Sequence, residues 1–268
     1  MKVIEPSFLK KIFHDQWRIV LILALFNMLF EYLFAWVFFE SEASSFVANY
    51  LKFLPPVVTK LMGVQAGTEY FTSQMLAFGY EHPIILLTLA FIPVNLNARY
   101  LSGEIERGTI NLFLTRPVHR IAIPISIMIF IIVAEGIILT MLYLGTVIGY
   151  YHFELGINLS DYWRASLTFY FLILGLAAAC MWVAVNTSER GVALSRSIGL
   201  IVFFYFFDTI IRLNDSLTFL LKFSYFNLYK PGEIVLGRSS YTQSILVISI
   251  IAMVFFSLSL IKFNRRDM

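Results

Sequence analysis

Six continuous apolar runs constrain this chain more than any other feature. They lie at roughly 17–39, 80–98, 121–150, 165–186, 194–212 and 243–263. Each is long enough to cross a hydrocarbon core of about 30 Å as a helix. Inside lipid every backbone N–H and C=O must find its partner within the protein, so a spanning segment is a helix or part of a closed barrel. The runs are unbroken instead of alternating, which excludes the barrel. The expected fold is an all-α membrane protein, one transmembrane domain over residues 1–268. The first run is too long for a cleaved leader and lacks a small-residue cleavage site, so it is expected to stay as span 1.

Composition agrees. Hydrophobic residues make up 59% of the chain and charged residues 14%, where a soluble domain carries about 25% charged. A water-soluble globule and a disordered chain are both excluded. The single cysteine, Cys180, rules out an internal disulfide, and the histidines form no HxxH or HExxH pair. No metal site and no catalytic residue is expected. Nothing points to nucleic acid.

Six spans place both termini on one side, and Lys and Arg decide which. Thirteen of the 20 fall on the terminal side and seven on the other. The termini are therefore expected in the cytoplasm. Residues 8–17 (FLKKIFHDQW) read as a cytoplasmic interfacial helix, with Phe8, Ile12 and Phe13 in lipid and Lys10 and Lys11 at headgroups. It either anchors the topology or also packs against a partner. Residues 43–79 and 213–242 are too apolar for free loops and read as short outer interfacial helices. Tyr50, Tyr70, Tyr80, Tyr225, Tyr229 and Tyr241 would form an aromatic belt. These segments either cap the bundle or gate a path.

Charge is scarce, so its placement is informative. Residues 98–120 (ARYLSGEIERGTINLFLTRPVHR) are dense in it. Thr109 can cap a short helix, INLFLTR, that Pro117 ends. Its apolar face of Ile110, Phe113 and Leu114, with charges at both ends, suits docking into a groove of another protein. Three acids lie inside spans: Glu31, Glu135 and Asp208. Counted from span starts near 18, 121 and 194, all three fall about 20 Å into the core, so one shared depth is expected. Arg212 follows Asp208 by four residues and should pair with it as a structural ion pair. Glu31 and Glu135 either hydrogen-bond between helices or, with Asn27 one turn before Glu31, line a polar translocation path. Pro93 is expected to kink span 2 unless the membrane tolerates it. Gly136, Gly145, Gly149 and Gly175 would permit close helix approach.

The central motif resembles the signature of type-2 ABC transporter permeases. The residues that carry it are Ser102, Gly103, Glu104, Glu106, Arg107, Gly108, Thr109, Arg116, Pro117 and Val118. The tail Arg265, Arg266 and Asp267 and the stretch YFNLYKPGEIVLG are in the same style. The resemblance implies the six-span permease subunit of an ATP-driven exporter in the cell (inner) membrane. A second copy or a paralogue would pair with it, and two ATPase subunits would dock beneath. Residues 102–117 would be the coupling-helix region, 186–196 a lesser contact, and the helices between spans 5 and 6 part of an outward gate. The chain has no GxxxxGK[ST] loop, so ATP and Mg would be held by the partner chain and no cofactor by this one. The alternative is a stand-alone secondary transporter or channel using the intramembrane acids. A membrane-embedded hydrolase lacks its residues.

Overall fold

The computed structural model describes residues 6–39, 71–109 and 119–266. Arg116, Pro117, Val118, Asp267, Tyr50, Tyr70 and the helix expected at 110–116 lie outside these residues. The helices are α1 (Pro6–Phe39), α2 (Phe71–Glu81), α3 (Pro83–Asn97), α4 (Gly103–Glu106), α5 (Ala122–His152), α6 (Leu159–Val185), α7 (Arg190–Leu213), α8 (Pro231–Val235) and α9 (Tyr241–Asn264). A π-helical turn, Ala98–Ser102, joins α3 to α4. Two 3₁₀ segments, Asp215–Phe223 and Phe226–Leu228, follow α7. No strand occurs among the described residues. Six stretches are long and apolar enough to cross a membrane, and the protein is a six-span membrane protein.

Helix α6 is the axis. Its most apolar window is 72% buried, against 11% for α9. Small residues make this possible: Gly175, Ala177, Ala178, Ala179 and Ala184 let neighbours approach its backbone. Helix α3 reaches it through Asn97, whose Nδ2 donates to Ala177 O at 3.2 Å. Asn158 caps its start, accepting from Ser160 N at 3.1 Å.

Helix α1 runs parallel to α5, and glycine sets their spacing. A Cβ on Gly145 would collide with the Met28 carbonyl, and one on Gly149 would come within 2.9 Å of Ala35 Cβ. The other two glycines act differently. Gly136 has only an ordinary contact, and Gly175 makes room for the Tyr225 hydroxyl instead of a helix.

Several expectations are corrected. Residues 8–17 are not a separate helix. No glycine or proline interrupts them after Pro6, so α1 runs unbroken from there. Phe8 and Ile12 face the protein core, with Phe8 edge-on to Tyr100 at 6.0 Å. Phe13 stays exposed, against Phe130. Span 2 is longer than 80–98, running over 73–106. It is interrupted at His82, where Pro83 forces an extended backbone (ψ 133°). Pro93 sits inside α3, and the irregular turn comes later, where Gly103 N–H bonds to Ala98 O five residues back.

The belt tyrosines also differ. Tyr80, Tyr225 and Tyr229 point inward because each finds an aromatic or polar partner there. Tyr80 shares a 2.6 Å hydrogen bond with the Thr146 hydroxyl. Tyr225 donates to Leu172 O at 2.8 Å, and Tyr229 stacks on Phe169 at 4.7 Å. The 213–242 stretch forms short 3₁₀ and α segments packed on α2, α6 and α7.

The contact of α1 with α5 makes a sharp expectation. Gly145→Val should destabilise by about 1–3 kcal/mol through overpacking and lower Tm in detergent by several degrees. Gly199→Ala, whose Cβ meets open space, should leave Tm unchanged or slightly raised. Equal Tm for both variants would refute the close packing.

Candidate functional site

Polar side chains gather in three places: the terminal end of the bundle, its interior, and its far end.

At the terminal end, the 102–109 motif is tied to three distant parts of the chain. Ser102 is fully buried; its hydroxyl donates to Ala184 O at 2.9 Å and meets the Thr187 hydroxyl at 3.0 Å. Gly103 lies against Arg190, and a Cβ there would stand 3.3 Å from Ala98 O. Glu104, only 6% exposed, accepts from Thr109 Oγ1 (2.5 Å) and Arg107 Nη2 (3.2 Å), with Lys11 Nζ at 3.9 Å. Glu106 Oε2 accepts the backbone N–H of Arg190 at 2.8 Å. That N–H opens α7, where the helix dipole favours a carboxylate. Arg107 Nε donates to Gly103 O at 3.0 Å. Gly108 has φ +68°, which a side chain would strain. Thr109, expected to cap the next helix, donates to Glu104.

The tail closes this network. Arg266 Nη1 donates to Val185 O (2.6 Å) and Thr187 O (3.0 Å), and its Nη2 to Ser188 Oγ at 2.7 Å. Arg120 Nη1 donates to Arg266 O at 3.0 Å. Sequence reasoning named Lys11 only at headgroups and 186–196 only as a separate contact, and missed that Lys11, Thr187 and Arg190 meet the motif. They stand some 80 or more residues from their partners, so no local spacing marks them.

The interior acids do not share a level. Glu31 lies beside Gly145, since a Cβ there would be 3.0 Å from Glu31 Cβ. Glu135 precedes Gly145 by ten residues on the same helix, a rise of about 15 Å. The single polar layer expected from counting does not form. The counting failed because α1 and α5 are staggered: starts near 18 and 121 put Phe130 opposite Asn27, whereas Phe130 packs against Phe13.

Both acids are fully buried, and neither carboxyl makes a hydrogen bond among the described residues. Glu31 is pressed against Gly79, whose missing Cβ leaves the space its Oε2 fills. Asn27 is satisfied: Nδ2 donates to Leu23 O at 2.7 Å, and Oδ1 accepts from Thr88 at 3.1 Å. It thereby joins α1 to α3.

At the far end, Arg212 Nε lies 2.5 Å from Asp208 Oδ2, and Arg212 Nη1 is 3.7 Å from Glu81 Oε1. Ser224 donates its hydroxyl to Asp208 Oδ1. Helices α2 and α7 thus meet on one guanidinium, and Ser224, just after the first 3₁₀ segment, joins them through Asp208. Beside it lies a cavity of about 30 Å³, bordered by Tyr80, Tyr205 and Tyr229. That is room for a single water. Tyr229 has no hydrogen-bond partner among the described residues, and burial pushes its phenol up. No cluster of three metal-ligating side chains occurs among the described residues.

No curated protein and no solved structure matches the chain. The family model described as ABC-2 family transporter protein does, over residues 10–268. With six apolar helices, an inward-folded motif after the second and a basic tail bound back to it, the chain belongs to the ABC-2 transporter family, as a membrane permease of an ABC transporter.

Proposed function

We propose that the protein is the membrane-spanning subunit of an ATP-driven exporter. In this reading both termini are cytoplasmic, and two copies, or this chain and a paralogue, form the path. Two separate ATPase subunits carry ATP and Mg and press on residues 102–117. One observation carries the reading: Glu106 Oε2 holds the N–H of Arg190 at 2.8 Å. Through it the end of span 2 is bonded to the start of span 5. Ser102 bonds it to span 4, and Lys11 sits beside Glu104 from α1. A push on the short segment between spans 2 and 3 therefore reaches several spans at once.

Burial supports a division of the motif by role. Ser102, Gly103 and Glu104 face inward and position the segment; Arg107 is the more exposed partner of the Arg107–Glu104 pair. Glu31 and Glu135 are the polar residues of the path, because a fully buried carboxyl without a hydrogen bond is costly to keep for packing alone, and Glu31 leads because Asn27 lies one turn before it. The same observation favours the second reading, a stand-alone transporter that uses its acids and needs no ATPase.

Three expectations follow the exporter reading. The chain purified from native membranes in mild detergent should bring an ATPase subunit with it; reproducible isolation without one would favour the second reading. Glu106→Ala and Arg107→Ala should lower transport per ATP hydrolysed with Tm unchanged, while Glu106→Gln keeps an acceptor for Arg190 and retains most activity. Glu104→Ala removes a buried acceptor and should destabilise by about 1–3 kcal/mol, so it does not isolate coupling. Unchanged coupling in Glu106→Ala would overturn the assigned route.

For the interior, Glu31→Gln should reduce transport-coupled ATP turnover more than Glu135→Gln, which faces other neighbours. Full turnover in both variants would remove the two acids from the mechanism.

A further inference from the structure

Helices α6, α7 and α9 and the 3₁₀ segment Asp215–Phe223 enclose a groove of about 460 Å³. Gly175 and Ala179 of α6 form its floor, Phe204 of α7 one wall, and Val247 and Phe255 of α9 the other. The lining is apolar except at the far end of the bundle. There Lys222 stands beside Phe223, both exposed. Lys222 has no acidic partner among the described residues.

The dimensions match a lipid chain. From Val247 to Phe255 the groove runs eight residues along α9, or about 12 Å. One leaflet of a ~30 Å hydrocarbon core is about 15 Å deep. The slot is therefore close to one leaflet in length, mostly apolar, and cationic only at its far end. Lys222 closes the far end of the slot, where its long, exposed side chain can extend toward a phosphate headgroup, with Phe223 beside it. A transmembrane helix from a second copy would be longer than the slot and would run past it across both leaflets.

We propose that this groove seats one anionic phospholipid of the bilayer, its acyl chain between α7 and α9 and its phosphate on Lys222. The seat is a property of this chain alone and does not depend on an ATPase partner.

The test is native mass spectrometry of the protein purified in mild detergent and titrated with phosphatidylglycerol or phosphatidylcholine. The wild type should hold one tight phosphatidylglycerol and prefer it over phosphatidylcholine. Lys222→Gln should weaken phosphatidylglycerol about fivefold and erase the headgroup preference. Val247→Trp, at an exposed position of the wall, should fill the slot and remove the tight site for both lipids. Melting curves report whether each variant is folded. Equal retention in the wild type and both folded variants overturns the proposal. So does disulfide capture of a second copy through Phe255→Cys in the bilayer, because the groove would then be covered by protein. The native Cys180 is buried and leaves that readout clean.

Discussion

In water, burying apolar faces pulls helices together. In a bilayer the lipid tails are as apolar as leucine, so that pull is absent. Helix association here rests instead on close backbone approach and on side chains that bond to a neighbour's carbonyls. Helix α6 receives several of these bonds: from Tyr225 at Leu172, from Asn97 at Ala177 and from Ser102 at Ala184. Tyr162 returns one from α6 to Ser73 at 2.9 Å. Each such bond contributes modestly, about 0.6 kcal/mol on average in a membrane. Spread along one axis, they fix the register of the far-end segments and of the terminal-end motif on the same helix.

Legibility in the sequence followed the range of the interactions. The spans were readable because twenty apolar residues carry their own signal. The Asp208–Arg212 pairing was readable because four residues on one helix set it. The level of Glu31 against Glu135 was not, because it depends on the stagger of α1 and α5. Gly145 and Gly149 fix that stagger, and their contacts lie more than 110 residues away in sequence. The inward turn of Tyr80, Tyr225 and Tyr229 escaped for a related reason. An aromatic residue near a span end reads as a belt residue unless its buried partner is known.

The motif after the second span shows the difference between recognising a segment and understanding it. Its residue types marked it as an unusual cluster of charge. Its geometry shows where that charge goes: Glu104 inward to Lys11, Thr109 and Arg107, and Glu106 sideways to the start of α7. Much of the motif's polarity is thus consumed within the chain. A segment braced in this way moves as a unit with the helices it holds.

Arg266 adds a mechanical consequence. By bonding to the carbonyls of Val185 and Thr187 it closes residues 185–266 into a hoop that contains both α7 and α9. Midway along α6, Tyr225 fastens the connection between the same two helices to Leu172. The stretch that carries α7 and α9 is therefore fastened to α6 twice, at its end and at its middle, like staves held by two bands. Lifting that stretch as a whole away from α6 requires that these fastenings open first.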